Sequence, residues 1–389
     1  MTRRDMVTMR SYLRPALAAL VAALPLMISS PARAEGVFPD LPQTSEIGER
    51  AHVSKETALG DAYLTGRGVS QDLKQAAYWY EKGAGLGDPV AQNQIGYLYE
   101  VGLGVEKDQA RAMHWYQLAS AGGLTNAKVN LAVAYIWGMG VEKNPPLGES
   151  LLLEAVAKGN SMAATYLGDL HFDGIGVPRD EAAGEKWYEK AVKMHNYLGA
   201  YRVGMLLSER AGHAHDLKRA LGLFRESATA GFVPAMHSLG RLQVNHPELC
   251  ASHEEALKLL SDAAEAGTWQ SSMVLGALAR DGKWVAQDDR QAYLRFREGT
   301  LQGGDTARAL AANDLKVLSA KLSAQERAEL DRQAEAWAGE HAQLLSMLYK
   351  GKKAGADLGA IALATPPSGS HAGMLLPVGS AAAAETHNR

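Results

Sequence analysis

The chain has 389 residues, 47% hydrophobic and 21% charged, which is enough apolar content to bury a core along most of its length. A formal charge of −3 excludes a strongly basic nucleic-acid binder as the starting expectation. The single cysteine, Cys250, excludes an internal disulfide and a four-cysteine zinc site.

Arg3, Arg4, Arg10 and Arg14 precede an apolar run over 15–28, and Ala32-Arg33-Ala34 follows. That layout predicts a secretory signal peptide over 1–34, cleaved after Ala34. The apolar run is short for a bilayer span, so no stable membrane insertion is expected after cleavage. Cleavage takes away five Arg and one Asp and leaves a charge of −7. An exported, acidic, nearly cysteine-free chain fits a bacterial periplasm, or secretion. Residues 35–50 form a short polar lead.

From 51 to 307 the chain repeats itself seven times with a period of 36. Leu59-Gly60 recurs as Ile95-Gly96, Leu131-Ala132, Leu167-Gly168, Val203-Gly204, Leu239-Gly240 and Leu275-Gly276. Trp79-Tyr80 recurs as Trp115-Tyr116 and Trp187-Tyr188, with aliphatic or mixed pairs in other units. Small residues recur at Ala76, Ala112, Gly148, Gly184, Ala220, Ala256 and Ala292. A closing glycine recurs from Gly87 to Gly303, broken at His195.

Each unit reads as two helices. The first has helical apolar spacing and ends in glycines such as Gly66 and Gly68, which supply the left-handed conformation that stops a helix. A valine (Val69, Val105, Val141, Val177) then plugs the loop. Asp72, Asp108, Asn144, Asp180, Asp216, Ser252 and Asp288 are predicted to cap the second helix, with capping-box partners at Gln75, Glu255 and Gln291. A glycine inside the first helix costs about 1 kcal/mol against alanine. Its recurrence predicts a close helix approach, with the Ala76 column as the opposing surface. One pair cannot bury its own apolar face, so the units must stack.

Leu59-Gly60-Asp61-Ala62-Tyr63, Gly66-Arg67-Gly68-Val69, Asp72 and Ala76-Ala77-Tyr78-Trp79-Tyr80 resemble the Sel-one-like repeat family, a relative of tetratricopeptide repeats. The resemblance covers about residues 55 to 307 and is strongest in units one, two and four. Units five and six depart from it by losing the G-x-G-V loop. It implies an all-α, right-handed superhelical solenoid of helix-turn-helix repeats that binds proteins and has no enzymatic activity. Exported members resemble periplasmic regulators of sensor kinases and assembly factors for envelope polysaccharide export. A protein partner of either kind is therefore expected.

After the repeats, 306–318 reads as a worn eighth first helix. Ser323 and Glu326 form a capping box opening a helix with apolar residues at Leu330, Ala334, Trp337, Leu344 and Leu348, so 308–350 is expected to cap the array. Residues 351–389 form a Gly, Ala, Ser and Pro tail, expected to be disordered.

In a helical wheel, positions 57, 61 and 64 of the first helix lie opposite Leu59 and Tyr63. In related solenoids this face lines the concave groove. Its middle is apolar, so Tyr97, Val133, Ile136, Phe172, Tyr201 and Met205 are candidate partner-binding residues, with Trp137 the best placed for stacking on a glycan. The alternative is that tight curvature buries them. His213, His215, His246, Cys250 and His253 fall in the loops of units five and six, but their spacing fits no zinc pattern. No nucleophile elbow, Walker loop, HExxH or Rossmann fingerprint occurs, so neither catalytic residues nor a cofactor is expected.

Overall fold

A computed structural model describes residues 54–209, 214–250 and 252–349. The proposed signal peptide, the polar lead, His213 and the tail lie outside them. The described chain is all-helical. Helices α1 (Lys55–Thr65) and α2 (Leu73–Gly85) form the first pair. The next pairs are α3 (Pro89–Val101) with α4 (Gln109–Ala121), α5 (Thr125–Trp137) with α6 (Pro145–Ala157), and α7 (Ser161–Asp173) with α8 (Glu181–Lys193). Then come α9 (Tyr197–Glu209), α10 (Ala214–Thr229), α11 (Val233–Asn245), α12 (His253–Glu265), α13 (Trp269–Asp281), α14 (Asp289–Lys321) and α15 (Ala324–Tyr349). The described residues divide into two compact units, 54–203 and 204–348. Within each, every pair also packs on the next, as α2 does on α3 and α12 on α13.

Sequence punctuation sets the helix ends. Gly66, Gly102, Gly138, Gly174 and Gly282 close the first helices in the left-handed conformation. Asp72, Asp108, Asn144, Asp180, Ser252 and Asp288 accept hydrogen bonds from the first-turn amides of the second helices. Asp216 departs from that column: α10 already starts at Ala214, which puts Asp216 inside its first turn. Glu255 takes only half of its capping-box role. Its amide donates to Ser252, while its carboxylate accepts from Arg225 at 3.1 Å.

The second glycine of each loop has a separate cause. A Cβ on Gly104 would sit 2.0 Å from the Leu73 carbonyl oxygen, because the loops of the second, third and fourth repeats lie on the start of the preceding repeat's second helix. In the seventh repeat Trp284 occupies that position at φ 67, and its ring stacks on His253 at 4.1 Å.

The closing column also keeps its left-handed backbone where the glycine is missing. His195 adopts φ 55, while Gly87, Gly123, Gly159, Gly231 and Gly267 have φ between 84 and 95. A side chain there costs about 1 kcal/mol. His195→Gly is therefore expected to stabilise the protein by about 1 kcal/mol, read as a higher urea midpoint. An unchanged or lower midpoint would show that the histidine side chain offsets its own strain.

Helix α14 contains a break at Gly304 (φ 60, ψ −141), so residues 305–321 form a further helix in the register of an eighth first helix. Ala311 and Leu318 are buried in it, and Leu310 is exposed. The Ser323 hydroxyl and the Glu326 carboxylate close their capping box reciprocally. Leu330 and Ala334 of α15 are buried.

Candidate functional site: the first-helix face

Each first helix faces three neighbours, and these decide which of its positions stay open. The column of residue 57 points at the next first helix. Thr57 and Thr165 are fully buried, and Asn93 nearly so. The Thr57 hydroxyl donates to Asp88 at 2.6 Å, Asn130 Nδ2 donates to Asn93 Oδ1 at 2.9 Å, and the Thr165 hydroxyl donates to Asn196 at 3.0 Å. This column is a polar ladder between repeats, because buried side-chain polar atoms need partners. It does not line a groove. Tyr201, at the same column, is half-buried.

The column of residue 64 turns toward the second helix of its own repeat. Ile136 and Phe172 are therefore core residues, 4% and 7% exposed. A Cβ on Gly148 would lie 2.5 Å from Ile136 Cγ1, and one on Gly184 would lie 2.7 Å from Phe172 Cβ. In these two repeats the small column opposite is glycine where the others carry alanine. Ile136 and Phe172 are thus removed from the expected partner surface. Tyr97, Val133 and Met205 remain half-buried, and Trp137 is 38% exposed.

The helix-interior glycines have a second opponent beside the expected small column. A Cβ on Gly60 would meet the Tyr80 ring at 2.5 Å, one on Gly96 the Tyr116 ring at 2.9 Å, and one on Gly168 the Tyr188 ring at 2.3 Å. The second aromatic of the Trp-Tyr pair lies across these glycines, and the Ala76 column stands beside it, with the Ala112 carbonyl oxygen 3.2 Å from a Cβ on Gly96. Each ring crosses its glycine and carries a hydroxyl to the far face. There Tyr80 donates to Asp61 at 2.6 Å, Tyr116 to Glu100 at 2.6 Å and Tyr188 to Asp169 at 2.8 Å.

The sequence carries a signal for this pairing. Units one, two and four have both the tyrosine and a carboxylate one or four residues after the glycine. Units three, five, six and seven have Leu152, Phe224, Leu260 and Phe296 and no carboxylate there. A buried phenol needs an acceptor, and a phenyl or isobutyl group does not.

The result in the first compact unit is a face both aromatic and acidic. Tyr97, Val133, Trp137 and Tyr166 share it with Asp61, Asp169 and Asp173. Burial raises the carboxyls of Asp61, Glu100 and Asp169 above their ordinary values. Arg202 Nε lies 3.0 Å from Asp169 Oδ1, and both side chains are largely buried. Burial disfavours the Arg202 charge, but Asp169 outweighs it and holds the guanidinium charged.

One turn beyond Asp169, burial and then the Asp169 charge push Asp173 up to about 6. The folded state thus binds the Asp173 proton more tightly than the unfolded chain, and stability falls as pH rises between about 4 and 6. Discounted for solvent screening, Asp173→Asn should stabilise the protein by about 1 kcal/mol above pH 6 and leave it unchanged near pH 4. Urea unfolding at the two pH values checks this.

Among the loop histidines, His246 Nδ1 lies 3.2 Å from Glu248 and His253 is engaged with Trp284. The Cys250 thiol donates to the Ser252 carbonyl. No group of three potential metal ligands occurs among the described residues. No helix among them is long and apolar enough to cross a membrane.

Residues 56–88, 89–124, 125–160, 161–196 and 198–232 match the Sel1 repeat. The helix pairs of the last two units continue beyond the matched segments. Among solved structures the chain is similar to a Sel1 repeat protein from Oxalobacter formigenes, with 25% identity, 66% of this chain and 100% of that one covered, and a TM-score of 0.52. It is also similar to a protective antigen with an SLR fold present in uropathogenic Escherichia coli strains, with 25% identity, 79% and 73% covered, and a TM-score of 0.42. No curated protein is significantly similar to it.

Proposed function

From the premise that this chain is a Sel1-repeat protein, we propose that it is an exported, non-enzymatic scaffold holding a protein partner on its first-helix face. The observation that carries this reading is the combination of half-buried Tyr97 and Val133 with exposed Trp137 on successive first helices. Apolar and aromatic side chains left open on a repeat face are what interaction surfaces are built from. Export rests on the signal-peptide pattern of residues 1–34. The partner class is a periplasmic sensor kinase or an envelope assembly complex.

The test is crosslinking in cells followed by identification of the captured proteins. Wild type is compared with a Tyr97→Ser, Trp137→Ser variant whose helical content is intact. Ile136 and Phe172 are left intact, since they are buried and their substitution would test folding instead. A partner lost from the variant supports the face, and an unchanged capture list overturns it. A second reading, assembly of envelope polysaccharide with direct glycan contact, is favoured by the exposed Trp137 indole. It predicts glycan binding that disappears in Trp137→Ser.

A further inference from the structure

Taking the first-helix face of the first unit as the docking face proposed above, we infer that the segment it receives is basic. That segment is a stretch of partner protein placing lysine or arginine against Asp61 and Asp173, and apolar side chains against Tyr97, Val133 and Trp137.

Charge complementarity is the argument. Arg202 is paired with Asp169 and also acts on Asp173 through space. Arg67 and Arg179 act on Asp61 and Asp173 through space only. Among the described residues, no ion pair involves these two carboxylates. Asp61 is satisfied by one tyrosine hydroxyl, and a phenol offers no positive charge. Carboxylates held partly out of water with incomplete pairing are costly in the free protein, and an arriving cation removes that cost.

The distribution of these groups selects a chain over a single ion. The acids stand in the first and fourth repeats, and no set of three metal ligands gathers among the described residues. One compact cation cannot serve both of them, whereas a polypeptide with several basic residues can. The aromatic groups between them suit the same occupant, since lysine and arginine stack on indole and phenol faces while their aliphatic stems cover apolar surface.

The test is fluorescence anisotropy of the purified protein with two labelled probes, a heptapeptide alternating lysine and leucine and its glutamate–leucine counterpart. The lysine probe is expected to bind and the glutamate probe is not. Asp61→Asn with Asp173→Asn should weaken the lysine probe about tenfold. Asparagine keeps an acceptor for Tyr80, so a thermal melt no lower than that of wild type shows that the double variant folds. No binding of the lysine probe, equal binding of both probes, or undiminished binding by the folded double variant would each overturn the inference. If crosslinking still captures a partner that Trp137→Ser loses while the lysine probe fails, the docking face stands and its basic occupant falls.

Discussion

Gly168→Ala is expected to destabilise the protein by about 2 kcal/mol, although alanine is the better helix former by about 1 kcal/mol. The new Cβ would lie 2.3 Å from two carbons of the Tyr188 ring. That ring cannot swing aside, because its hydroxyl donates to Asp169 at 2.8 Å and Asp169 is engaged with Arg202. The backbone pair must therefore separate, and packed cores resist such overfilling. Gly276 supplies the contrast. A Cβ there would lie 3.2 Å from the Phe296 ring, which has no hydroxyl to anchor it. Gly276→Ala should stay within about 1 kcal/mol of wild type, helix propensity offsetting the milder crowding. Urea unfolding followed by circular dichroism reads both variants. Equal losses would mean that the ring tether does not set the cost.

The third repeat shows the compensated arrangement. It carries Ala132 where the others carry glycine, and its second helix presents Leu152 in place of an aromatic ring. Both are fully buried. Gly204→Ala combined with Phe224→Leu copies this pair, and should unfold at higher urea than Gly204→Ala alone.

The features legible from sequence are those fixed by one or two adjacent residues. The left-handed C-cap at Gly66 follows from backbone sterics, and the N-cap at Asp72 follows from free amides at a helix start. The 36-residue period then multiplies each of these local rules along the chain.

The open face was less legible, because a helical wheel of one helix does not know its three neighbours. It groups Thr57, Asp61 and Leu64 as one face. The fold assigns the first to the next repeat, the third to the partner helix, and leaves the second half-open. Two columns read together would have separated them. Gly148 and Gly184 stand opposite Ile136 and Phe172 because those side chains need the room. Likewise Tyr80, Tyr116 and Tyr188 occur only in repeats that supply Asp61, Glu100 and Asp169. Arg202 was invisible for a different reason: it comes from the following repeat, at a position that holds Tyr166 one repeat earlier.

Arg202→Met is expected to cost about 3–5 kcal/mol near pH 7, because it strands Asp169 as a buried charge. Methionine fills much of the volume of the arginine stem, so lost packing is the smaller part. The pH dependence separates charge from packing. Burial already raises the Asp169 carboxyl, and without Arg202 it would rise further. A folded-state value above the unfolded one penalises folding only where the unfolded carboxyl is ionised. The deficit of the variant should therefore shrink as pH falls from 7 toward about 4. A packing defect would persist unchanged across that range. Adding Asp169→Asn should recover most of the loss, since asparagine still accepts from Tyr188 and carries no charge. The two single variants would then each be less stable than the double variant, giving a large favourable coupling in the double-mutant cycle. Additive losses in that cycle, or a deficit indifferent to pH, would show that Asp169 and Arg202 stabilise the fold independently.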